Sequence, residues 1–299
     1  MEAVVAAPKS PSIFATFAAL SRLHILAIAS FACLVFGWLL TGSWLAAAAV
    51  LCCVDWFIVN LVNRVADLAE DRENGIVGTD LISAHGRLFE LGCGALLVGS
   101  LVGVHLVAPQ LTVYRVCFHA IGLAYNYKLL PTPKGRTRFK ETYFFKNFSS
   151  AVLFVLSTML YPLALAKAPV QPLYLALLVG FFLPLEMTYE VIYDLRDVKG
   201  DAKEKVPTFP VVHSVATSHR IIDGLIILSA ASLLAGGVLG VFKLRELVLI
   251  AAPIQQALYF HFRLKRAPTP DKCIFITWLG AAQVLSYVIW VNAGLPVSF

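Results

Sequence analysis

Two clusters of polar side chains have the residue types and spacing for metal-dependent chemistry. The first follows the pattern N-x-x-x-D-x-x-x-D and consists of Asn63, Asp67 and Asp71. The second follows the pattern E-x-x-x-D-x-x-D-x-x-x-D and consists of Glu190, Asp194, Asp197 and Asp201. Oxygen ligands of this kind suit Mg²⁺, which completes its shell with water and substrate phosphates. Neither cluster contains histidine or cysteine, which argues against zinc.

Helical geometry would turn each cluster into a stripe of oxygen atoms. At about 100° per residue, the four acids of the second cluster lie within about 60° of the helix circumference. The first cluster spans about 80° by the same calculation. Carboxylates stacked so closely repel one another, so each stripe needs a metal ion or a cationic partner.

Basic side chains near the clusters could bind the phosphate oxygens that a metal leaves free. The candidates are Arg72, Lys128, Lys140 and Lys146. The alternative is that each cluster is only a solvated helix end, salt-bridged to Arg64, Arg72, Arg196 and Lys199. Two such clusters at matching places in the chain favour a functional site over this alternative.

The composition indicates that membrane helices must position these clusters. The chain of 299 residues is 59% hydrophobic and 14% charged, with a mean hydropathy of +0.78, whereas soluble domains carry about 25% charged residues. No polar linker divides it, so we predict one integral membrane domain over residues 1–299, with residues 1–20 as a cytoplasmic tail and entry segment. The net charge of +6 comes without a soluble basic domain, which argues against nucleic-acid binding.

The apolar stretches predict an all-α polytopic protein, because they are continuous and do not alternate as barrel strands do. Each span needs roughly 20 mostly apolar residues. The nine predicted spans are His24–Leu40, Trp44–Asn63, Glu90–Val107, Leu111–Tyr127, Asn147–Leu165, Pro172–Tyr193, Ile221–Val241, Leu244–Phe262 and Ile274–Asn292. They would form one bundle with a central cavity open to the cytoplasmic side. Asp55, inside the second span, could face this cavity or pair internally.

The distribution of basic residues predicts the orientation of the bundle. Of the 24 lysines and arginines, only four fall on the side of the odd-numbered connections, namely Arg115, Lys167, Lys243 and Arg245. The positive-inside rule puts the other, basic side in the cytoplasm. Both acidic clusters lie on that side. We therefore predict a multi-pass protein of the inner or plasma membrane whose active site faces the cytoplasm.

The motifs resemble those of the UbiA superfamily of intramembrane prenyltransferases, which has nine helices and acidic motifs after the second and sixth. The second motif, from Glu190 to Asp201, is similar to the branch that includes geranylgeranylglyceryl phosphate prenyltransferases and relatives of chlorophyll synthase. Tyr125–Lys128 resembles the Y-x-x-K of the fourth helix, and Phe145–Asn147 the polar entry to the fifth. The segment Asn74–Asp80 departs from the family's N-x-P-x-R-P pattern.

The resemblance implies Mg²⁺-dependent transfer of a prenyl group from a prenyl diphosphate to a lipophilic acceptor. It implies metal binding by Asn63, Asp67, Asp71, Asp197 and Asp201. It implies substrate binding by Asn63, Arg72, Tyr125, Lys128, Lys140, Lys146, Asn147 and Tyr193. Glu190 or Asp194 could orient or deprotonate the acceptor.

Two other functions stay open at this stage. An enzyme of the same fold could cyclise or hydrolyse the prenyl diphosphate, and the first step would then be identical. A non-enzymatic carrier or transporter of prenyl lipids would instead place polar residues at mid-depth in the membrane. The prenyl chain is expected between helices, open to membrane lipid, where candidate lining residues are Phe57, Phe148, Phe154 and Phe181.

Overall fold

The computed structural model describes residues 12–73, 75–133, 135–169 and 171–294, and helices dominate them. The helices are α1 Ile13–Ser21, α2 Leu23–Thr41, α3 Ala46–Ala66, α4 Leu68–Glu73, α5 Thr79–Val107, α6 Thr112–Asn126, α7 Phe145–Ala166, α8 Pro172–Lys203, α9 Phe209–Val212, α10 Val215–Val238, α11 Leu244–Leu264 and α12 Pro270–Asn292. Short 3₁₀ turns lie at Pro109–Leu111 and Phe139–Glu141. Residues 1–11 of the predicted tail lie outside the described residues, and its remainder forms most of α1.

The prediction of an all-α membrane protein is confirmed. Eight helices in the described residues are long and apolar enough to cross a membrane, namely α2, α3, α5, α7, α8, α10, α11 and α12. The remaining predicted span, Leu111–Tyr127, is the fourth in the chain and corresponds to α6, which has 15 residues. At 1.5 Å per residue, α6 is about 22 Å long, shorter than a hydrocarbon core of about 30 Å. The count of nine spans therefore stays a prediction.

Several helices continue beyond the predicted apolar boundaries. α5 begins at Thr79 rather than Glu90, and α8 continues past Tyr193 to Lys203. Hydropathy detects only the part of a helix that sits in lipid, whereas backbone hydrogen bonding continues into the polar region. The extension of α8 matters most, because it carries the second acidic cluster.

The centre of the bundle is built by α2 and α8. α2 packs against α3, α7 and α12, and α8 packs against α7 and α10. A continuous apolar core joins these helices and includes Phe36, Trp56, Leu178 and Ile192. Small residues on α2, such as Ala29 and Ala32, are fully enclosed and allow neighbouring helices to approach closely.

A two-stranded hairpin departs from the all-helical prediction. Strands β1 (Leu130–Thr132) and β2 (Gly135–Thr137) pair antiparallel between α6 and α7. Gly135 has φ +121°, a conformation that favours glycine and closes the tight turn. The hairpin leads directly into the turn Phe139–Glu141 and so sets where the basic residues of this connection lie.

A buried ion pair joins α3 and α6 inside the bundle. Nε of Arg115 donates to Oδ2 of Asp55 at 2.9 Å, and both side chains are fully buried. His119 lies 3.0 Å from Asp55 Oδ1, and the Tyr161 hydroxyl donates to Oδ2 at 2.8 Å. Arg115 also donates to the Ser100 carbonyl at 2.9 Å. Asp55 therefore pairs internally, and Arg115 lies within the bundle rather than in an outer connection.

We expect this pair to be essential for stability. Asp55→Leu leaves Arg115 buried without a counter-ion and should cost about 3–5 kcal/mol. The double variant Asp55→Leu/Arg115→Met removes both charges and should recover a large part of that loss. Thermal unfolding in detergent, monitored by size-exclusion chromatography, measures the stability of both variants. A double variant no more stable than Asp55→Leu would contradict the prediction.

Candidate active site

Both acidic clusters line a single cavity at one end of the bundle. Its volume is about 170 Å³. The cluster residues in its wall are Asn63, Asp67, Asp71, Glu190, Asp194, Asp197 and Asp201. The ends of α3 and α8 thus bring together two segments that are far apart in the chain.

The first cluster does not lie on one continuous helix. α3 ends at Ala66, and Asp67 leaves the helical conformation with φ −107° and ψ 22° before α4 begins. The backbone hydrogen bonds nevertheless keep the four-residue spacing of an α-helix. Asp67 N–H donates to the Asn63 carbonyl and Asp71 N–H to the Asp67 carbonyl, both at 2.9 Å. The cluster therefore still faces one cavity, although the calculation for an unbroken helix does not apply.

Asn63 is held by side chains from three elements. Its Nδ2 donates to Asp67 Oδ2 at 2.7 Å and to Asn126 Oδ1 at 2.8 Å. Its Oδ1 accepts from Arg22, which lies at the junction of α1 and α2 with φ 51°. The amide is thereby fixed at the cavity wall with its oxygen toward a cation.

The second cluster lies along α8, and α7 supplies its partners. Lys146 Nζ lies 2.7 Å from Asp194 Oδ1 and 3.3 Å from Asp201 Oδ2. Asn147 Nδ2 donates to Asp194 Oδ2 at 2.8 Å, and Ser150 Oγ donates to Glu190 at 2.7 Å. The first turns of α7 thus carry the donors that neutralise or hold this stripe.

The connection between β2 and α7 places further cations over the first cluster. Lys140 Nζ lies 2.5 Å from Asp67 Oδ1 and 3.0 Å from Glu70 Oε2, and Arg138 lies 3.2 Å from Asp67. Glu141 keeps Arg138 in place through a bond of 2.9 Å. Partial burial alone would raise the pKa of Glu141, but hydrogen bonds from Arg138 and Thr137 and the Arg138 charge hold it below its usual range.

Two arginines inside the motifs complete the charge pairing. Arg64 lies 2.9 Å from Asp71, and Arg196 donates to Asp197 at 2.7 Å. Arg196 also lies over the ring of Tyr193, 4.8 Å from its centroid. Each aspartate of the two clusters thus has a cationic partner, so the salt-bridged arrangement expected of Arg64 and Arg196 is present inside the cavity rather than at a solvated surface.

The predicted substrate-binding residues lie in three places. Tyr125, Lys140, Lys146 and Tyr193 line the cavity, together with Asn63. Asn147 is buried behind Asp194. Arg72 and Lys128 are not among the cavity residues: Arg72 is exposed and donates to Ser83, and Lys128 is exposed 3.9 Å from Glu141.

Sequence reasoning missed several residues of the cavity wall as site candidates. They are Arg22, His24, Arg64, Glu70 and Arg196. Arg64, Glu70 and Arg196 lie within the two motifs, so their adjacency to the acids was an available signal. Arg22 precedes the first predicted span and His24 begins it, and no local pattern marks them.

The four phenylalanines expected along a prenyl chain do not share a cavity. Phe181 lines an apolar cavity of about 270 Å³. Phe57 borders a separate groove beside α1, Phe148 stacks on Phe144, and Phe154 packs against Trp56. Only Phe181 among these four therefore lines that apolar cavity.

The family model of the UbiA prenyltransferase family matches residues 23–281. The chain belongs to the UbiA prenyltransferase family. The match includes both acidic clusters, and the expectation of a prenyltransferase is confirmed.

Solved structures of UbiA homologues share the fold of this chain. The UbiA homolog from Archaeoglobus fulgidus bound to GPP and Mg²⁺ has a TM-score of 0.66 at 17% identity, over 93% of this chain and 99% of that one. The same homolog bound to DMAPP and Mg²⁺ has a TM-score of 0.67 at 18% identity, over 94% of this chain and 100% of that one. At such identities the likeness shows the fold alone.

A curated relative resembles this UbiA family member over a shorter stretch. The digeranylgeranylglyceryl phosphate synthase of Haloquadratum walsbyi is 32% identical over 63 residues. The match spans 21% of this chain and 22% of that protein. The resemblance is consistent with the predicted branch of the superfamily.

We expect Lys146 to support the structure of the cavity as well as its charge balance. Lys146→Met leaves Asp194 and Asp201 buried side by side without a cation and should cost about 3–5 kcal/mol. Lys203, whose pair with Glu73 is exposed, is the matched control, and Lys203→Met should leave unfolding unchanged. Thermal unfolding of the purified variants compares them. Equal melting temperatures would contradict the expectation.

Proposed function

We propose that this protein transfers a prenyl group from a prenyl diphosphate to a lipophilic acceptor, with Mg²⁺ and release of diphosphate. The observation that carries the proposal is the cavity itself, in which two carboxylate clusters face a set of lysines and arginines. Carboxylates suit a hard divalent cation, and the basic side chains suit a diphosphate. We place this cavity at the cytoplasmic face, because the basic residues concentrate there.

The donor set fits Mg²⁺ through shared coordination with a substrate. No group of three acidic, histidine or cysteine side chains in the described residues forms a ready-made metal site. Mg²⁺ is commonly held by one or two carboxylates together with substrate phosphates, so the separated carboxylates of the two clusters suffice. The proposed ligands are Asn63, Asp67, Asp71, Asp197 and Asp201. When bound, Mg²⁺ supplies charge neutralisation on the departing diphosphate.

The basic residues of the cavity would contact the diphosphate directly. Lys140 and Lys146 already bridge pairs of acidic side chains, so binding of metal would free their ammonium groups for phosphate oxygens. Arg22 and Arg64 line the same space and could add bidentate contacts. We assign these roles to cavity residues in preference to Arg72 and Lys128, which lie outside it.

Glu190 is the best candidate for a group that handles the acceptor. It lies toward the membrane interior from the other acids of its stripe and accepts a hydrogen bond from Ser150 at 2.7 Å. In the described residues it has no salt-bridge partner, so it can accept a proton from an incoming nucleophile. Asp194 is held by Lys146 and Asn147, which suits a positioning role. Tyr125 and Tyr193 would form the wall beside the reacting carbon.

The relatives support both halves of the proposal. The Archaeoglobus fulgidus homolog binds GPP or DMAPP with Mg²⁺, which supports a diphosphate donor. The Haloquadratum walsbyi relative is a digeranylgeranylglyceryl phosphate synthase, which supports a lipophilic acceptor.

Release of diphosphate by the purified protein in detergent tests the donor half of the proposal. Geranyl, farnesyl, geranylgeranyl and phytyl diphosphates are offered with and without Mg²⁺. We expect release only with Mg²⁺, and a fall of roughly 100-fold in Asp197→Ala because charge stabilisation is lost. Asp223→Asn, an exposed carboxylate paired with His261, is the control and should be fully active. Binding of prenyl lipids without turnover of any donor would favour a carrier instead.

Glu190→Gln tests the acceptor half. With an acceptor present, formation of the prenylated product should fall by about 10²-fold, because a proton acceptor is lost. Binding of the donor diphosphate should stay unchanged, since the metal ligands are intact. Product analysis by mass spectrometry then separates transfer from cyclisation and hydrolysis. Undiminished product formation would remove Glu190 from the mechanism.

A further inference from the structure

An apolar cavity lies inside the bundle, beside the charged one and deeper in the membrane. It is enclosed by α2, α8, α11 and α12 and has a volume of about 270 Å³. Most of its wall is aliphatic or aromatic and includes Val35, Phe36, Phe182, Leu185 and Trp290. Its rim includes Ala251 and Ser286, which are exposed on the outer surface of α11 and α12. A lipid could therefore enter from the bilayer.

A carboxyl group faces this apolar cavity without a protein partner. Glu186 of α8 lines the cavity and is only 4% exposed. Among the described residues, no side chain or backbone group hydrogen-bonds to it, and no cation pairs with it. Gln283 of α12 lines the same cavity and is likewise without a hydrogen bond to the described part of the chain.

The surroundings of Glu186 differ from those of Asp55, another carboxylate inside the bundle. Asp55 receives hydrogen bonds from Arg115 and Tyr161 inside the same bundle. Polar groups buried in apolar surroundings are costly unless they are hydrogen-bonded, and within membranes such unpaired acids mark functional sites. Glu186 thus lacks the hydrogen-bond donor that a ligand could supply.

We propose that the apolar cavity binds a lipid alcohol, whose hydroxyl group donates a hydrogen bond to Glu186 while its hydrocarbon lies against the apolar wall. An amphiphile with one small neutral donor matches a wall that is apolar apart from Glu186, Gln283 and a few hydroxyl groups. Gln283 offers a second polar contact to the same hydroxyl.

This site is distinct from the charged cavity. Glu186 precedes Asp197, the nearest proposed metal ligand on α8, by eleven residues, which is about 16 Å along the helix axis. A hydroxyl at Glu186 is therefore too far away to contact the proposed metal ligands. Binding there requires neither Mg²⁺ nor a diphosphate. The protein could therefore lack alcohol binding and still transfer prenyl groups, or bind alcohols without transferring prenyl groups.

Calorimetric titration of the purified protein in detergent with farnesol and with farnesyl methyl ether tests the proposal. The two probes share their hydrocarbon, but only the alcohol can donate a hydrogen bond. We expect farnesol to bind about tenfold more tightly, because only its hydroxyl group can donate a hydrogen bond to a carboxyl oxygen of Glu186. Glu186→Leu should abolish this preference, and Gln283→Leu should reduce it.

The variants distinguish a hydrogen bond between the probe and Glu186 from nonspecific partitioning of the probe's hydrocarbon. Glu186→Leu removes a buried polar group from an apolar wall, so we expect it to fold, and melting temperatures check this. Asp223→Asn, which alters an exposed carboxylate outside the cavity, should keep the preference for the alcohol. Equal affinities of the two probes for the unmodified protein would overturn the proposal, as would a preference that persists in Glu186→Leu.

Discussion

The structure depends on the pairing of carboxylates with cations where a bundle of membrane helices meets the polar region. An unpaired charge is expensive at this depth, and each aspartate of the two clusters has a cationic neighbour. Lys146 pairs with Asp194 and Asp201, Lys140 with Asp67 and Glu70, and Arg64 with Asp71. The partners come from α3, α7 and the connection before α7, so the charge balance also holds these elements together.

This pairing bears on the proposed binding of a diphosphate with Mg²⁺. Each aspartate of the two clusters has a cationic partner without a ligand, and Lys140 and Lys146 each serve two acids. If a diphosphate binds there with Mg²⁺, Asn63 and the proposed aspartate ligands of the two clusters would hold the metal, and Lys140 and Lys146 would contact phosphate oxygens.

Asp55 and Glu186 are two buried carboxylates that lie away from the charged cavity, and their surroundings differ. Asp55 is saturated by Arg115, His119 and Tyr161, so it fastens helices. Glu186, in contrast, faces an apolar cavity with room for a ligand. The same residue chemistry therefore serves stability in one place and recognition in the other.

The sequence by itself determined the membrane class, the all-α architecture and the two acidic clusters, because hydropathy and four-residue spacing are local properties of single helices. It could not place Arg72 and Lys128 outside the cavity, nor bring Arg22 into it, because those outcomes depend on how separate helices rotate and pack. The break at Asp67 and the partner of Asp55 were likewise decided by tertiary contacts. Glu186 falls on the same face of α8 as Glu190, yet only the packing of α2, α11 and α12 left it facing an apolar cavity.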